Sequence, residues 1–211
     1  LSGQLIVSGC DFTKGGQHIY LGEEVLAATV FGNRIAGELG LVNESVGSVE
    51  VGLNSQMSVV EGFVELGGRN RSRFVSQWDG PDCQTEAVDL EGVAARRTLG
   101  WYMLFGVDDS LAAAGRYPVV RVEVEYWDQG TGSFFLEYDS SDETVLIVPD
   151  RPGAFKASAE SVAFENTGAW RTAVFELPDA LFADRCNGGD FRITVPNSTI
   201  TVRRVAVSRG G

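Results

Sequence analysis

The first quarter of the chain repeats a pattern of short apolar strands separated by Gly and Asn. Three segments align at steps of 23 and 21 residues: 4–10, 27–33 and 48–54. The alignment places Cys10, Asn33 and Asn54 at the same position of the repeat. Residues 17–21 and 40–43 follow a second track. A period of about 22 residues predicts stacked coils, in which each strand pairs in parallel with its copy and the Asn side chains form a ladder.

The turns of this repeat resemble those of right-handed parallel β-helix proteins of the pectate lyase and polygalacturonase type. The segments that carry the resemblance are Ser-Gly-Cys-Asp-Phe at 8–12, Phe-Gly-Asn-Arg-Ile at 31–35 and Val-Asn-Glu-Ser at 42–45. We therefore assign residues 1–57 to parallel β-helix coils. Two or three coils are too few for a stable solenoid, and the chain begins at Leu1 within an apolar pattern, so we expect further coils upstream.

The resemblance implies catalytic carboxylates or arginines on central coils rather than on the last ones. Asp11, Glu23, Glu24 and Glu44 show no carboxylate pairing in the sequence, and we interpret them as solvated turn charges. We interpret His18, the only histidine, as a surface or groove residue. The chain by itself is thus expected to be non-catalytic. The alternative, in which Asp11, Glu23 and Glu44 act in a lyase or glycosidase, stays open.

Beyond the repeat, residues 58–74 contain a polar, Gly- and Arg-rich stretch that predicts a connection. Residues 75–211 alternate apolar and polar positions with period two, most clearly at 120–127. We predict a hairpin between this strand and 134–138, and a further strand at 144–148. Many short strands with frequent turn signals predict two antiparallel sheets in a β-sandwich.

The order of these strands resembles that of galactose-binding-like jelly-roll modules, the carbohydrate-binding modules appended to polysaccharide-degrading enzymes. The segments that carry the resemblance are 116–118, 122–126, 134–139, 167–172, 190–193 and 202–207. It implies a polysaccharide or glycan as partner, and a protein that is secreted or at the cell surface. The predicted fold class is all-β: terminal coils of a right-handed parallel β-helix plus an antiparallel jelly-roll sandwich.

Sugar recognition needs aromatic faces beside carboxylates, amides or arginines. Alternation places Trp127 on the polar face of its strand, beside Asp128 and Gln129, although packing against the β-helix part would explain Trp127 equally well. Trp170 is interpreted as a core residue. The predicted ligand-binding residues are Trp127, Asp128, Gln129, Trp78, Tyr102 and Tyr138.

Jelly-roll modules of this kind often hold a structural calcium ion, which prefers oxygen ligands. The predicted metal ligands are Asp139, Asp142 and Asp190. None of them lies in a fixed calcium-loop spacing, so solvated acidic turns remain the alternative.

The charge balance narrows the partners further. There are 29 Asp plus Glu and 17 Lys plus Arg, which gives a net charge of −12 and disfavours nucleic acid. No apolar run has the roughly 18 residues that a membrane span needs. Arg96, Arg97, Arg203 and Arg204 are expected to form salt bridges. Of the three cysteines, Cys83 and Cys186 could form a disulfide only if their loops meet.

Three functions follow from these observations. The first is a non-catalytic region that binds carbohydrate and caps the β-helix. The second is the C-terminal part of a polysaccharide lyase or glycoside hydrolase whose catalytic residues lie mostly upstream. The third is a structural, adhesion or assembly module, which forms a homo-oligomer.

Overall fold

The computed structural model describes residues 3–12, 17–36, 39–57, 61–112, 115–117 and 119–210, except for the side chains of residues 3, 17, 18, 36 and 55–57. Within these residues the regular structure is β-strand throughout, which confirms the all-β class. Two compact units divide the chain, residues 1–59 and 60–211. In the described part of the chain, no helix is long and apolar enough to cross a membrane.

The described residues of the first unit form eight short strands: β1 (Gly3–Ser8), β2 (Asp11–Phe12), β3 (Gln17–Leu21), β4 (Val25–Phe31), β5 (Arg34–Ala36), β6 (Gly40–Asn43), β7 (Ser48–Gly52) and β8 (Ser55–Met57). They form three parallel sheets, β1–β4–β7, β2–β5–β8 and β3–β6. Gln4 pairs with Ala27, and Ala27 pairs with Ser48. On the second track Gln17 pairs with Gly40. These are the pairs that the sequence repeat predicts.

Asn33 and Asn54 form a ladder through the first unit. The Oδ1 atom of Asn33 accepts the backbone N–H of Cys10 at 3.0 Å, and that of Asn54 accepts the N–H of Asn33 at 3.1 Å. Their Nδ2 groups donate to the carbonyl oxygens of Val7 and Val30 in the preceding repeat. Asn33 is fully buried, so its polar atoms require these partners. The predicted ladder is therefore present, with Cys10 contributing its amide.

The core of the first unit is small. Among the described side chains, its main cluster is Ile19, Leu21, Ala28 and Val30, with partly buried apolar residues around them, and Ile35 is buried as well. Other large apolar side chains remain at least half exposed: Ile6, Tyr20, Leu26, Val46, Val51 and Leu53. Since stabilisation scales with the apolar area removed from water, packing contributes little to this unit.

The second unit consists of twelve strands: β9 (Glu61–Glu65), β10 (Arg71–Arg73), β11 (Val75–Trp78), β12 (Thr85–Leu90), β13 (Val93–Thr98), β14 (Tyr102–Val107), β15 (Val120–Trp127), β16 (Ser133–Tyr138), β17 (Lys156–Ala163), β18 (Trp170–Leu177), β19 (Phe191–Thr194) and β20 (Thr201–Arg209). One sheet has seven strands in the order β10–β9–β20–β13–β12, with β15 beside β20 and β18 beside β15. The other has five strands in the order β11–β14–β19–β16–β17. All these strand pairs are antiparallel.

The two sheets pack face to face around an aromatic core. The ring centroid of Tyr126 on β15 lies 4.8 Å from that of Phe134 on β16, and Phe134 lies 6.0 Å from Phe175 on β18. Alternate residues of β15 point into this core and are buried: Val120, Val122, Val124 and Tyr126. The predicted antiparallel sandwich is thus confirmed.

The predicted hairpin between β15 and β16 is wrong. β15 pairs with β18 and β20, whereas β16 pairs with β17 and β19 in the other sheet. Residues 128–132 therefore cross from one sheet to the other. Each strand buries one apolar face, and opposite sheets turn these faces toward each other across the core.

Two further predictions differ from the structure. Residues 58–74 were predicted as a connection, but β9 and β10 lie within them, and β9 pairs with β20 because Val64 enters the core. The predicted strand at 144–148 forms turns, and Leu146 and Ile147 are exposed. Local alternation indicates that a strand can form, but burial of one face decides whether it does.

Each of the three cysteines lies in the described residues and is a free thiol. Cys83 and Cys186 are both buried, and no disulfide joins them. Burial raises the pKa of the Cys186 thiol to about 12. Both therefore serve as small core residues, and Cys186 stays protonated at neutral pH.

Candidate functional site

The outer face of the five-stranded sheet collects aromatic and charged side chains in one row. Trp78 of β11 lies opposite Leu104 of β14, Leu104 opposite Arg192 of β19, and Arg192 opposite Glu137 of β16. Directly paired residues share a face, so these side chains project to the same side. Tyr102, two residues before Leu104, also lies on this side. We call Trp78, Tyr102, Arg192, Glu137 and Thr194, with Trp101 at the edge, the aromatic–arginine face.

Arg192 is the centre of the aromatic–arginine face. Its guanidinium carbon lies 3.7 Å from the ring centroid of Tyr102 and 4.3 Å from that of Phe155. Its Nε donates to Glu137 at 2.7 Å, and the Thr194 hydroxyl donates to the same carboxylate oxygen at 2.7 Å. Only 12% of the Arg192 side chain is exposed. The stacking and the ion pair therefore fix a charged group in one orientation.

Trp101 and Trp78 flank this centre in different ways. Trp101 is 44% exposed, and its ring meets the edge of Tyr102 at a centroid distance of 6.4 Å. Trp78 lies flat against the sheet, where a Cβ at Gly106 would come within 2.9 Å of the indole. Gly106 is thus required for this close approach. Neither Trp101 nor Tyr102 is a core residue; Met103, the next residue, is fully buried.

A polar network holds the end of the strand that carries Trp78. The Asp79 carboxylate accepts the Thr85 hydroxyl at 2.7 Å and the Gln77 amide at 3.0 Å. Its other oxygen pairs with Arg96 at 3.0 Å. The indole is therefore positioned by a strand end that is tied to the neighbouring sheet.

The structure places Trp127, Asp128 and Gln129 on the seven-stranded sheet, away from the aromatic–arginine face. The Trp127 indole donates to the Gln129 side chain at 3.1 Å and meets the ring of Trp170 edge-on at 5.4 Å. Trp170, which the sequence predicts in the core, is only partly buried. The side chains of Trp127 and Gln129 are thus hydrogen-bonded to each other at the end of β15.

Asp128 is fully buried, and its carboxylate binds the loop opposite it. Its carboxylate accepts the backbone N–H groups of Glu165, Asn166 and Thr167, and the Thr167 hydroxyl at 2.7 Å. Burial would raise the pKa of Asp128, but the hydrogen bonds from Thr167, Glu165 and Asn166 outweigh it and hold the pKa at about 2. Its oxygens are occupied, so Asp128 does not fit the predicted role in ligand binding.

Tyr138 does not fit a ligand-binding role either. It is one of the largest fully buried side chains, and its hydroxyl donates to Asp179. Burial, followed by the Asp179 hydrogen bond and charge, raises its pKa far above the ordinary value. The alternation of β16 points Tyr138 inward and Glu137 outward.

The three predicted metal ligands do not form one site. Asp139 is buried and pairs with Arg185 at 2.6 Å. Asp142 accepts hydrogen bonds from Thr144 and from Lys156, which hold its pKa at about 2. Among the described residues, no group of three His, Cys, Asp or Glu side chains could hold a metal ion.

Asp190, the third of them, is held by backbone donors. It accepts the N–H groups of Val107 at 2.8 Å and Asp184 at 3.1 Å. Burial raises its pKa to about 7. Because protein donors or cations already occupy these carboxylates, Asp139, Asp142 and Asp190 do not fit a calcium site. Calcium binding elsewhere in the chain stays a prediction.

The candidate carboxylates of the first unit are either paired with another kind of side chain or exposed in a turn. Asp11 pairs with Arg34 at 3.7 Å, and Glu44 accepts the Tyr20 hydroxyl. Glu23 and Glu24 are exposed in a turn. The side chain of His18 lies outside the described residues.

Sequence reasoning found Trp78 and Tyr102 but missed Arg192, Glu137 and Thr194. The available signal was a polar residue within an otherwise apolar strand, in Phe-Arg-Ile-Thr at 191–194 and Phe-Phe-Leu-Glu-Tyr at 134–138. Arg96, Arg97, Arg203 and Arg204 form the predicted salt bridges.

No family model and no curated protein matches the chain. Among solved structures, it is similar to a family 29 carbohydrate binding module from Piromyces equi, with 12% identity and a TM-score of 0.43 over 73% of this chain and 93% of that one. The CBM22-1 xylan-binding domain from Paenibacillus barcinonensis Xyn10C matches with 10% identity and a TM-score of 0.38 over 72% and 93% of the two chains. The enzymatically active domain of bacteriophage CBA120 tailspike protein 4 matches with 8% identity and a TM-score of 0.26 over 98% and 33%. Since these scores are low, the fold described above rests on strand pairing.

Proposed function

We propose that residues 60–211 form a non-catalytic carbohydrate-binding module whose ligand lies on the aromatic–arginine face. The observation that carries this proposal is Arg192, stacked on Tyr102 and paired with Glu137 beside the exposed ring of Trp101. A pyranose offers apolar C–H groups to an aromatic ring and hydroxyls to charged side chains. The face offers both kinds of partner at adjacent positions.

The charges of the face favour a neutral sugar. Arg192 and Glu137 neutralise each other, and Thr194 is bonded to the same carboxylate. A sugar hydroxyl both donates and accepts hydrogen bonds. Guanidinium N–H groups donate to it and a carboxylate accepts from it, so one Arg–Glu pair matches both roles. Trp101, with the most exposed ring of the face, supplies the stacking surface.

Affinity gel electrophoresis of the whole chain against a panel of neutral polysaccharides tests this proposal. We expect retardation by at least one glycan class, and about a tenfold to hundredfold loss of affinity in Trp101→Ala. The matched control is Trp127→Ala, which removes a tryptophan from the other sheet and should bind as the unmodified chain does. Equal losses in both variants, or no retardation across the panel, would contradict the proposal.

We further propose that the first unit is the terminal part of a right-handed parallel β-helix in a polysaccharide-acting protein that is secreted or at the cell surface. Its support is the parallel register at steps of 23 and 21 residues and the Asn33–Asn54 ladder. Capping of this β-helix by the sandwich belongs to the same proposal. If it is right, the backbone amides of residues 1–59 produced alone should exchange faster than the same amides in the whole chain.

Assembly into a homo-oligomer is a second role, favoured by the apolar surface of the first unit. Ile6, Leu26 and Leu53 are each at least half exposed. Exposed apolar side chains become buried when copies of a chain associate, which favours assembly. Light scattering after gel filtration measures the mass directly, and a monomer at micromolar concentration would exclude this role.

A further inference from the structure

A cavity of about 550 Å³ lies on the outer side of the seven-stranded sheet. Its charged lining consists of Glu65, Arg69, Arg71, Glu125, Arg203 and Arg204. Its remaining wall is the loop 66–68 with the end of β13. The volume is within the range of small-molecule sites, and larger than a lone inorganic ion requires.

The charges around this cavity do not cancel. Glu125 pairs with Arg203 at 2.6 Å and with Arg204 at 3.5 Å. Arg204 also reaches Glu61, which lies outside the lining, at 3.2 Å, and Glu65 pairs with Arg71 at 3.5 Å.

Arg69 has no ion pair with any residue in the described ranges. The four arginines of the lining thus face its two glutamates and Glu61 beside it, which leaves one positive charge in a chain of net charge −12. A lone excess of arginine at a cavity, within so acidic a protein, indicates an anionic ligand.

The loop that carries Arg69 is held in place before any ligand binds. Asn70 accepts the N–H of Gly67 at 3.2 Å and donates to Gln77 at 2.9 Å. Arg96 donates to the Gly67 carbonyl at 3.2 Å. Because folding already orders this loop, binding would not have to order it again.

We propose that this cavity binds the carboxylate of an acidic sugar, a uronate unit, with Arg69 as its principal partner. The guanidinium fork matches a planar carboxylate in bidentate geometry. Once Glu61 is counted with the lining, one carboxylate supplies the single negative charge that is still lacking. The Glu65 carboxylate, with 47% of its side chain exposed, accepts sugar hydroxyls. The site is separate from the aromatic–arginine face and does not depend on carbohydrate binding there.

A titration of the ¹⁵N-labelled whole chain, followed by NMR, tests the proposal. The probes are D-galacturonate and D-glucuronate, each beside its methyl ester, which keeps the ring and removes the charge. We expect the acids to shift the amide signals of Gly67 and Gly68 in a saturable way that weakens with added NaCl, and the esters to leave them unchanged. Equal shifts with acid and ester, or no shift with either, would overturn the proposal.

Two variants locate the site. Arg69→Gln should weaken uronate binding about tenfold or more, because it removes a charge-assisted hydrogen bond. Arg116→Gln changes the net charge equally at an exposed residue outside the lining, and should bind as the unmodified chain does. The same loss of affinity in both variants would mean that net charge alone causes it, and would overturn the proposed site.

A steric variant checks the position without changing charge. A Cβ at Gly68 would meet nothing within 4 Å, so Gly68→Phe can place a ring at the cavity without backbone strain. We expect it to weaken uronate binding, and unchanged binding would count against the cavity. The indole signal of Trp101 in the same spectra reports the aromatic–arginine face, so the failure of either site is seen separately.

Discussion

The two units of the chain are both built from strands but are stabilised by different contacts. In the first unit each strand pairs in parallel with its own copy, and Asn33 and Asn54 connect the copies. In the second unit strands far apart in sequence pair antiparallel, and an aromatic core centred on Phe134 joins the sheets. Repetition thus specifies one unit, and burial specifies the other.

The difference predicts where each unit is vulnerable. In a repeat with a small core, backbone and amide hydrogen bonds carry a large share of the stability. In a sandwich, the loss of a large core side chain removes transfer free energy and leaves a cavity. All four tryptophans lie in the second unit, so their fluorescence reports its unfolding alone.

The largest expected effect is on the sandwich core. Phe134→Ala removes a fully buried ring that contacts Tyr126, Phe164 and Phe175, and should lower the free energy of unfolding of the second unit by about 3 to 5 kcal/mol. Urea unfolding followed by tryptophan fluorescence measures it. The exposed Phe31→Ala in the first unit is the control, and a comparable shift of the fluorescence transition there would mean that the units do not respond separately.

A change in pH should alter the free energy of unfolding of the second unit, and this is the second-largest expected effect. The pKa of Asp190 is raised to about 7, so the folded state favours its neutral form, and the free energy of unfolding should fall as pH rises from about 4 to 7. The pKa of Asp128 is lowered to about 2, so its contribution is present above about pH 4 and is lost as pH falls toward 2.

Urea midpoints measured by tryptophan fluorescence across this pH range test both predicted pH dependences. NMR of the carboxyl groups then assigns one dependence to Asp190 and the other to Asp128. The described carboxylates of the first unit are all exposed. Its hydrogen exchange, corrected for the intrinsic effect of pH on exchange, should therefore show neither of these pH dependences. A flat fluorescence midpoint from pH 4 to 7 would contradict the raised pKa of Asp190.

The smallest expected effect concerns the ladder. Asn33→Ala leaves the N–H of Cys10 and the carbonyl of Val7 without their side-chain partners, and should destabilise the first unit by about 1 to 3 kcal/mol. Hydrogen exchange of the amides in β1 and β4 measures it. Asn43→Ala is the matched control, since in the described contacts the exposed side chain of Asn43 bonds only its neighbour Ser45. Equal protection in the two variants would show that the ladder is not stabilising.

Between β3 and β6 the register shifts by one residue after Gln17, but the register of β1–β4–β7 could be predicted from Gln4 onward, because a parallel partner in a repeat is a copy of the same pattern. Pairing in the sandwich could not, because its apolar strand faces resemble one another. The predicted hairpin of β15 with β16 is wrong for this reason. The two strands are neighbours in the sequence but lie in opposite sheets, and Val124 of β15 pairs with Val205 of β20.

The candidate site shows the same limit. Trp78 and Tyr102 could be predicted because aromatic residues near strand ends stand out in the sequence. Arg192 and Glu137 become neighbours only through the register of β19 with β16, which no local pattern contains. Asp128 was placed at the surface because it begins a polar loop, but it is buried by the residues 165–167 that it binds.

The close approach of Trp78 to Gly106 divides the aromatic–arginine face into a fixed part and an adjustable part. A Cβ at Gly106 would come within 2.9 Å of the indole, so any substitution there displaces the Trp78 ring from its position on the sheet. Trp101 stands at the edge, with nearly half of its surface free. A library for altered ligand choice should therefore vary Trp101 and its exposed neighbour Leu99, and keep Trp78 and Gly106 constant.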